Sequence, residues 1–383
     1  MNTQPIFVGG CYRSGTTLLE KLLHHHPSIC IASQPFADFY FYCKSTFLSE
    51  KHLKRRYPLD HLFLESDYHT SDVIAFLNEY YLTHEDLEAI NNQMARNALG
   101  LWTPEILEYF KEVKPGRFLD VYKQLINVIA RIYPKDSPRY VGGKEVLCEE
   151  YVPYLLENSS KAILIIRDPR AMIASLNFRD RDNLTGNNRP ILYSLRAWRK
   201  SVAVCLAYED HPDFLAVSYE DLASAPLPVL NKMAEFLDIK PFQSDWYQHG
   251  IRHQNGERWK GNSSFSDQSD VSSKSIKRYS QVLPPEVIAY IEACCWPELK
   301  ALGFEFIKQK RFDESIISTH KDSFSSIHEK FRPDYSSCDE HVEEEIARFN
   351  KLKAVQLLDQ PEATNWFVFE LAYQKLAAAV KSV

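Results

Sequence analysis

The chain has 383 residues, 45% hydrophobic and 13% aromatic, enough to bury a large core and to exceed one compact unit. A formal net charge of −6 argues against general binding to nucleic acid or to an anionic membrane, leaving room for a local basic cleft. No apolar stretch reaches the ~20 residues of a membrane span, and Ile6–Val8 is too short for a secretion signal. Eight cysteines carry neither a CxxC pair nor a zinc spacing, and read as reduced, mostly buried thiols of a cytoplasmic protein.

The chain is organised around Pro5 to Leu23, PIFVGGCYRSGTTLLEKLL. Ile6, Phe7 and Val8 have strand character, Gly9 and Gly10 break it, and Leu18, Leu19, Leu22 and Leu23 recur at helical spacing. Strand, glycine turn and helix start in that order cradle an anion, because the first-turn N–H groups have no intrahelical partner and the dipole points the same way. Arg13 adds a permanent cation, and Ser14, Thr16 and Thr17 add hydroxyls around Gly15. Gly10 and Gly15 have the spacing of a nucleoside triphosphatase loop, but Thr16 stands where that loop needs lysine. By itself the segment specifies an anion and not which one.

His24, His25 and His26 precede Pro27, and the spacing predicts a helix end capped by cations rather than a metal site. Ile29–Ala32 reads as a second strand. From about residue 36 to 133 the texture is helical and aromatic, with helices predicted over Phe36–Phe47, Ser71–Leu82, Glu85–Leu99, Pro104–Lys111 (capped by Thr103) and Arg117–Ile132. An insertion of this length between two strands reads as a lid or acceptor-binding element.

The sheet resumes at Tyr140–Val146 and at Ala162–Ile166, a continuous apolar run suited to a buried parallel strand. Arg167 ends that strand, and Ser175 and Arg179 follow eight and twelve residues later, one helical turn apart on one face. The segment reads either as a second anion site on the same sheet edge or as a surface salt-bridge cluster with Asp168, Asp180 and Asp182. Pro190–Tyr208 is a long helix, Phe214–Ser218 a strand, and Tyr219 to Leu222 a turn into the next helix. Gly250–Ser275, with Arg258, Trp259 and Lys260, reads as a flap over a ligand or as plain surface loop. Pro284–Leu302 is helical, Arg311–Ser337 a polar linker, and His341–Leu358 and Thr364–Val380 two closing amphipathic helices.

Four of these segments resemble the sulfotransferases that use 3′-phosphoadenosine 5′-phosphosulfate (PAPS). GGCYRSGTTLL resembles their 5′-phosphosulfate loop in its arginine form, found in protein-tyrosine and many bacterial and carbohydrate sulfotransferases. RDPRAMIAS resembles their 3′-phosphate segment, AVSYEDL the corner that carries a tyrosine near the nucleotide, and WKGNSS with SIKRYSQVLPPEVIAYIE the C-terminal flap and closing helix. The resemblance implies a three-layer α/β P-loop-type fold with a central parallel sheet, a sulfotransferase domain over residues 1–310 and a helical C-terminal extension over 311–383. It implies that Arg13, Ser14, Gly15, Thr16 and Thr17 hold the 5′-phosphosulfate, and that Arg167, Ser175 and Arg179 hold the 3′-phosphate. Tyr219, Lys260, Gly261 and Asn262 would complete the nucleotide site. Lys144 corresponds to the lysine that steadies charge on the departing oxygen, a structural salt bridge being its other reading. No metal is implied.

One departure concerns the base. In the protein-tyrosine branch a glutamate stands twenty-one residues after the loop arginine, and here that position is Gln34, whose amide cannot take a proton. Glu145 ranks first among the alternatives, then Asp38, with His52 and His61 behind. The implied reaction is sulfuryl transfer to a hydroxyl of a sugar, lipid or small metabolite. A P-loop kinase or triphosphatase and a non-catalytic nucleotide-binding protein are the rival readings.

Overall fold

The computed structural model describes residues 3–51, 68–97, 101–178, 189–243, 250–259, 261, 271–309, 311–324, 339–354 and 366–381. Arg179, Lys260 and Asn262 lie outside the described residues, as do His52, His61, Asp180 and Asp182.

The chain begins with β1 (Gln4–Gly9), α1 (Thr16–His25) and β2 (Ile29–Ser33). The insertion follows as α2 (Ala37–Glu50), α3 (Thr70–Glu79), β3 (Tyr81–Leu82), α4 (His84–Arg96), α5 (Ile106–Phe110), β4 (Gly116–Arg117) and α6 (Phe118–Ile132). Then come β5 (Tyr140–Lys144), α7 (Val152–Glu157), β6 (Lys161–Ile166), α8 (Pro169–Asn177), α9 (Ile191–Tyr208), β7 (Phe214–Ser218), α10 (Tyr219–Ser224) and α11 (Pro226–Phe236). Further helices follow, among them Asp339–Lys353 and Glu370–Lys381.

Five strands make one parallel sheet in the order β2-β5-β1-β6-β7. Successive side chains of a strand point to opposite faces, and the two apolar clusters follow that alternation. Ile6, Val8, Ile29, Ile31, Ile163 and Ile165 meet Leu19, Leu22 and Leu23 of α1 and Met233 of α11. Phe7, Cys30, Ala32, Ala162, Leu164 and Ile166 face the other way, onto the cluster that holds α6 and α9. β1 is first in the chain but central in the sheet, between β5 and β6. β5 can lie so close because it carries glycine: a Cβ on Gly142 would stand 1.8 Å from the Ile6 carbonyl oxygen.

Several predicted boundaries move. The Ser71–Leu82 helix stops at Glu79, and Tyr81–Leu82 instead pairs with Gly116–Arg117 as a small antiparallel ribbon. Thr103 does not cap a helix at Pro104: its hydroxyl donates to the Ser33 carbonyl at 2.7 Å, and α5 starts at Ile106. The Pro284–Leu302 helix is broken at Cys295, because Pro297 in the first turn of Trp296–Ala301 starts a new helix. The supposed linker after Arg311 contains the helix Glu314–Thr319, and Phe312 stacks on Phe349.

The histidine triplet is a second correction. Burial drives His24 down to about 3, so it is neutral, and Ile31 N–H donates to its Nδ1 at 3.2 Å. The cation at the end of α1 is Lys135, whose Nζ donates to the carbonyls of His24, His26 (3.0 Å) and Ile29 (2.6 Å). Among the described residues no group of His, Cys, Asp and Glu is placed to hold a metal ion, and no helix is long and apolar enough to cross a membrane. The seven described cysteines are free and buried.

The closing helices are fastened to α9 by charge. α9 is buried from Ile191 to Leu206, which forces its basic residues to find partners inside the protein. Arg196 Nε and Arg199 Nη2 donate to Glu345 Oε1 at 2.8 and 2.9 Å, Arg199 Nη1 to Glu345 Oε2 at 2.5 Å, and Arg196 Nη2 to Glu344 at 2.8 Å. Lys200 pairs with Glu149 and Glu150 at 3.1 and 2.7 Å.

Candidate active site

The site is built where β1 runs out into α1. Cys11 carbonyl accepts from Ser14 N–H at 3.2 Å, so the loop turns back tightly before the helix starts. Arg13 takes the left-handed conformation at φ 62°, and Gly15, the helix N-cap, follows at φ 94°. A non-glycine residue holds such a backbone only where its surroundings impose it. Here Arg167 Nη1 donates to the Arg13 carbonyl at 3.0 Å, and Arg13 Nε donates to Ser175 Oγ at 3.0 Å. Gly15 is required for a second reason: a Cβ there would lie 2.4 Å from the Tyr219 ring.

The two predicted anion sites therefore interlock. Arg167, just past the carboxyl end of β6, is only 6% exposed, which excludes the surface salt-bridge reading. Its guanidinium lies 4.2 Å over the Tyr219 ring, and the Trp198 indole N–H fixes its carbonyl at 2.8 Å. Tyr219 OH in turn shares a 2.9 Å hydrogen bond with Ser275 Oγ. Asp168 does not pair with Arg167. It caps α8 through Arg170 N–H at 2.8 Å and holds the buried Arg170 guanidinium, with Nη2 to Oδ2 at 2.7 Å.

Two buried polar atoms in this interlock have no hydrogen-bond partner among the described residues: Ser14 Oγ and Arg167 Nε. A hydroxyl and a guanidinium N–H left unsatisfied beside a left-handed loop and a helix N-terminus suit an anionic ligand. Thr16 is buried and Thr17 half-buried in the first turn of α1. Gly261 takes φ 87° beyond Trp259, whose side chain is buried rather than extended from a loop and whose backbone N–H donates to the Ile251 carbonyl at 2.8 Å.

On the other side of β1, the end of β5 supplies Lys144 and Glu145. Strand alternation sends them to opposite faces. Lys144, 2% exposed, faces α1 with Nζ 3.6 Å from Glu20 Oε2 and 5.5 Å from the ring of Trp102, which is itself 42% exposed. Burial pulls the Lys144 ammonium below the ordinary lysine value, against the opposite pull of Glu20 and Glu145. Glu145 faces α2: its Oε1 accepts from Phe36 N–H at 2.8 Å, and its Oε2 has no hydrogen-bond partner among the described residues. Burial pushes this carboxyl up to about 8, beyond what the Phe36 N–H and Lys144 pull back.

Gln34 sits beside them at φ 45°, its N–H donating to the Lys144 carbonyl at 2.7 Å. Asp38 is half-buried, raised by burial and hydrogen-bonded by Asn97 Nδ2 at 3.3 Å. Three participants escape a reading of the sequence. Glu20 in LLEKLL looks like part of a solvated helix face, and Trp198 like ordinary core; Gln254 lies in a polar stretch with no periodicity. Nothing local marks them, because the partners Ser33 of Glu20, Arg167 of Trp198 and Glu20 of Gln254 are 13, 31 and 234 residues away.

A family model described as "Sulfotransferase family" matches residues 5–244. The match takes in the Arg13 loop, Lys144, Glu145, Arg167, Ser175 and Tyr219, and ends before Lys260–Asn262. Among solved structures the chain is similar to the sulfotransferase domain from the curacin biosynthetic pathway, 19% identical, with 80% of this chain and 99% of that chain covered at a TM-score of 0.45. It is also similar to the sulfotransferase domain of the Synechococcus PCC 7002 olefin synthase, at 19% identity, 74% and 90% coverage and a TM-score of 0.41. A mouse sulfotransferase complexed with PAP follows at 13% identity, 78% and 85% coverage and a TM-score of 0.38. A comparison with the curated proteins finds no match.

Proposed function

Since the chain belongs to the sulfotransferase family, we propose that it moves a sulfuryl group from PAPS to a hydroxyl of a sugar, a lipid or a small metabolite. The observation that carries this reading is the interlock of Arg13, Ser175 and Arg167. A nucleotide charged at both ends of its ribose needs two separate cation-bearing cradles within reach of one molecule, and these residues supply them. Arg13, Ser14 and the N–H groups of Gly15, Thr16 and Thr17 would hold the 5′-phosphosulfate. Arg167 and Ser175, with Arg179, would hold the 3′-phosphate that tells this donor from ATP. Tyr219, which lies under the Arg167 guanidinium, would wall the nucleotide site, with Lys260, Gly261 and Asn262 as the further nucleotide contacts the sequence resemblance implies.

The donor supplies an activated sulfuryl group, and the chain's residues position and neutralise it. The acceptor oxygen bonds to sulfur as the sulfur–oxygen bond to the 5′-phosphate breaks, and adenosine 3′,5′-bisphosphate departs. Lys144 offsets the charge that develops on the departing oxygen. Glu145 takes the acceptor proton: one carboxylate oxygen has no partner among the described residues, and a carboxyl raised to about 8 is a far better base than an ordinary glutamate. The exposed Trp102 ring near Lys144 offers an apolar platform to an acceptor.

Incubation of the protein with radiolabelled donor and metabolite extracts tests the reading. Label should pass to a hydroxyl-bearing product without added metal, and ATP should neither bind tightly nor compete. Tight binding of the donor with no transfer to any acceptor would overturn it.

A further inference from the structure

Glu20 lies one turn into α1, past the Arg13 loop, yet it is wholly buried and collects charged and polar groups from β5, α1, β2 and the segment 250–259. Lys144 approaches from β5 at 3.6 Å, and Lys21 from α1 at 2.8 Å. Ser33 Oγ at the end of β2 donates at 2.7 Å, and Gln254 Nε2 donates at 2.6 Å. A carboxylate is kept inside a protein only when it is paired and hydrogen-bonded, and this one is both. Burial raises it, but Lys144 and Lys21 outweigh that effect and leave it below the ordinary glutamate value.

Gln254 extends the arrangement. Its amide also donates to the Ile31 carbonyl at 3.0 Å and accepts from Lys21 Nζ, while Arg252 N–H donates to His25 Nε2 at 3.0 Å. The segment 250–259 is thereby pinned along α1.

We infer that Glu20 is a positioning residue for sulfuryl transfer, holding the Lys144 ammonium charged at the cleft and anchoring the segment 250–259 against α1. The inference rests on the reading of Lys144 given above. The other charged or titratable groups near this pair are Lys21 and His24 on α1, Glu145 on β5, His253 in the pinned segment and Tyr133 beyond α6. Both histidines are held neutral by burial, so they do not titrate across the alkaline range. Removal of the Glu20 charge lowers the pH at which Lys144 loses its proton. Glu145 moves the same way, because Glu20 is one of the carboxylates that raise it.

The pH dependence of kcat at saturating donor tests this. Glu20→Gln keeps the shape and one acceptor oxygen, for Ser33 or Gln254 but not both, and removes the charge. Its alkaline limb should move to lower pH by about 1–3 units, the reach of a close opposite charge, with the affinity for adenosine 3′,5′-bisphosphate by calorimetry unchanged. Glu20→Asp, which keeps the charge but withdraws it by one methylene, should give a smaller shift in the same direction, and serves if Glu20→Gln does not fold. A limb that coincides with the native one, in a folded variant of an enzyme that Lys144→Ala inactivates, overturns the inference alone. Full activity of Lys144→Ala removes the reading of Lys144 beneath it.

Discussion

Arg167 offers the sharpest test of the proposed nucleotide site, because that proposal gives its guanidinium two duties. One is toward the ligand: a charge-assisted hydrogen bond to an anion is worth ~1.5–3 kcal/mol. The other is toward the protein, since Nη1 holds the carbonyl of left-handed Arg13 at 3.0 Å, a neutral bond of ~0.5–1.5 kcal/mol. Arg167→Ala should therefore weaken adenosine 3′,5′-bisphosphate by about 2–4.5 kcal/mol, roughly 30-fold to 2,000-fold in Kd. Arg13→Ala, which leaves its backbone carbonyl in place, should cost ~1.5–3 kcal/mol. Arg167→Lys keeps the charge but lacks the fork that reaches ligand and carbonyl together, so it should fall between native and Arg167→Ala. Titration calorimetry with adenosine 3′,5′-bisphosphate and with adenosine 5′-monophosphate separates the two duties. The first part of the loss appears only for the ligand that carries a 3′-phosphate. Equal losses for both ligands would refute Arg167 as the 3′-phosphate contact, and no loss for either would refute the cleft.

Gly15→Ala should abolish detectable donor binding in a folded protein, since its Cβ collides with the Tyr219 ring at φ 94°; retention within about threefold by calorimetry would contradict the close packing of Tyr219 on the loop. Glu145 sits above its unfolded value, so it must be deprotonated to act, and activity should be present above about pH 8 and fall as pH drops through it. Glu145→Gln should remove that limb along with most of kcat in a pH–rate profile. The same shift implies that this carboxyl costs stability as pH rises from the ordinary glutamate range toward about 8, so Glu145→Gln should melt higher than native at alkaline pH and not at pH 4. Glu345→Gln strands Arg196 and Arg199 in the core and should lower stability by ~3–5 kcal/mol in urea denaturation. Since Glu345 is held below its ordinary range by those arginines, the native protein should lose this contribution as pH falls through the acid range.

Local devices are legible without a structure. A strand that breaks at Gly9–Gly10, a cation at Arg13 and leucines at helical spacing point to an anion loop from residues that all lie within fifteen positions of the chain. The run AILII defines a buried parallel strand for the same reason, its alternate faces both being apolar. Legibility fails where an assignment depends on a distant partner. The histidines at the end of α1 look cationic until α1 is packed, and then burial neutralises them and Lys135 takes the helix terminus. Helix continuity from Pro284 to Leu302 fails because one proline outweighs good periodicity on either side.

Sequence by itself determined the pieces: the glycine turn with its arginine, Arg167 at a strand end with Ser175 eight residues on, Lys144 next to Glu145, and the absence of glutamate at Gln34. Tertiary structure alone decided which of these pieces meet, Arg13 with Ser175 and Arg167. The sheet order sets β1 between β5 and β6, so parallel pairing carries Lys144 and Arg167 to the two flanks of a loop more than a hundred residues away from either. Burial and neighbouring charge then set each group's proton affinity, since Glu145, with one oxygen unsatisfied, is raised to about 8, while Glu20, beside two lysines, is held below the ordinary glutamate value. Hydrogen bonds and charges act over a few ångströms in space, and chain distance says nothing of which groups come that close.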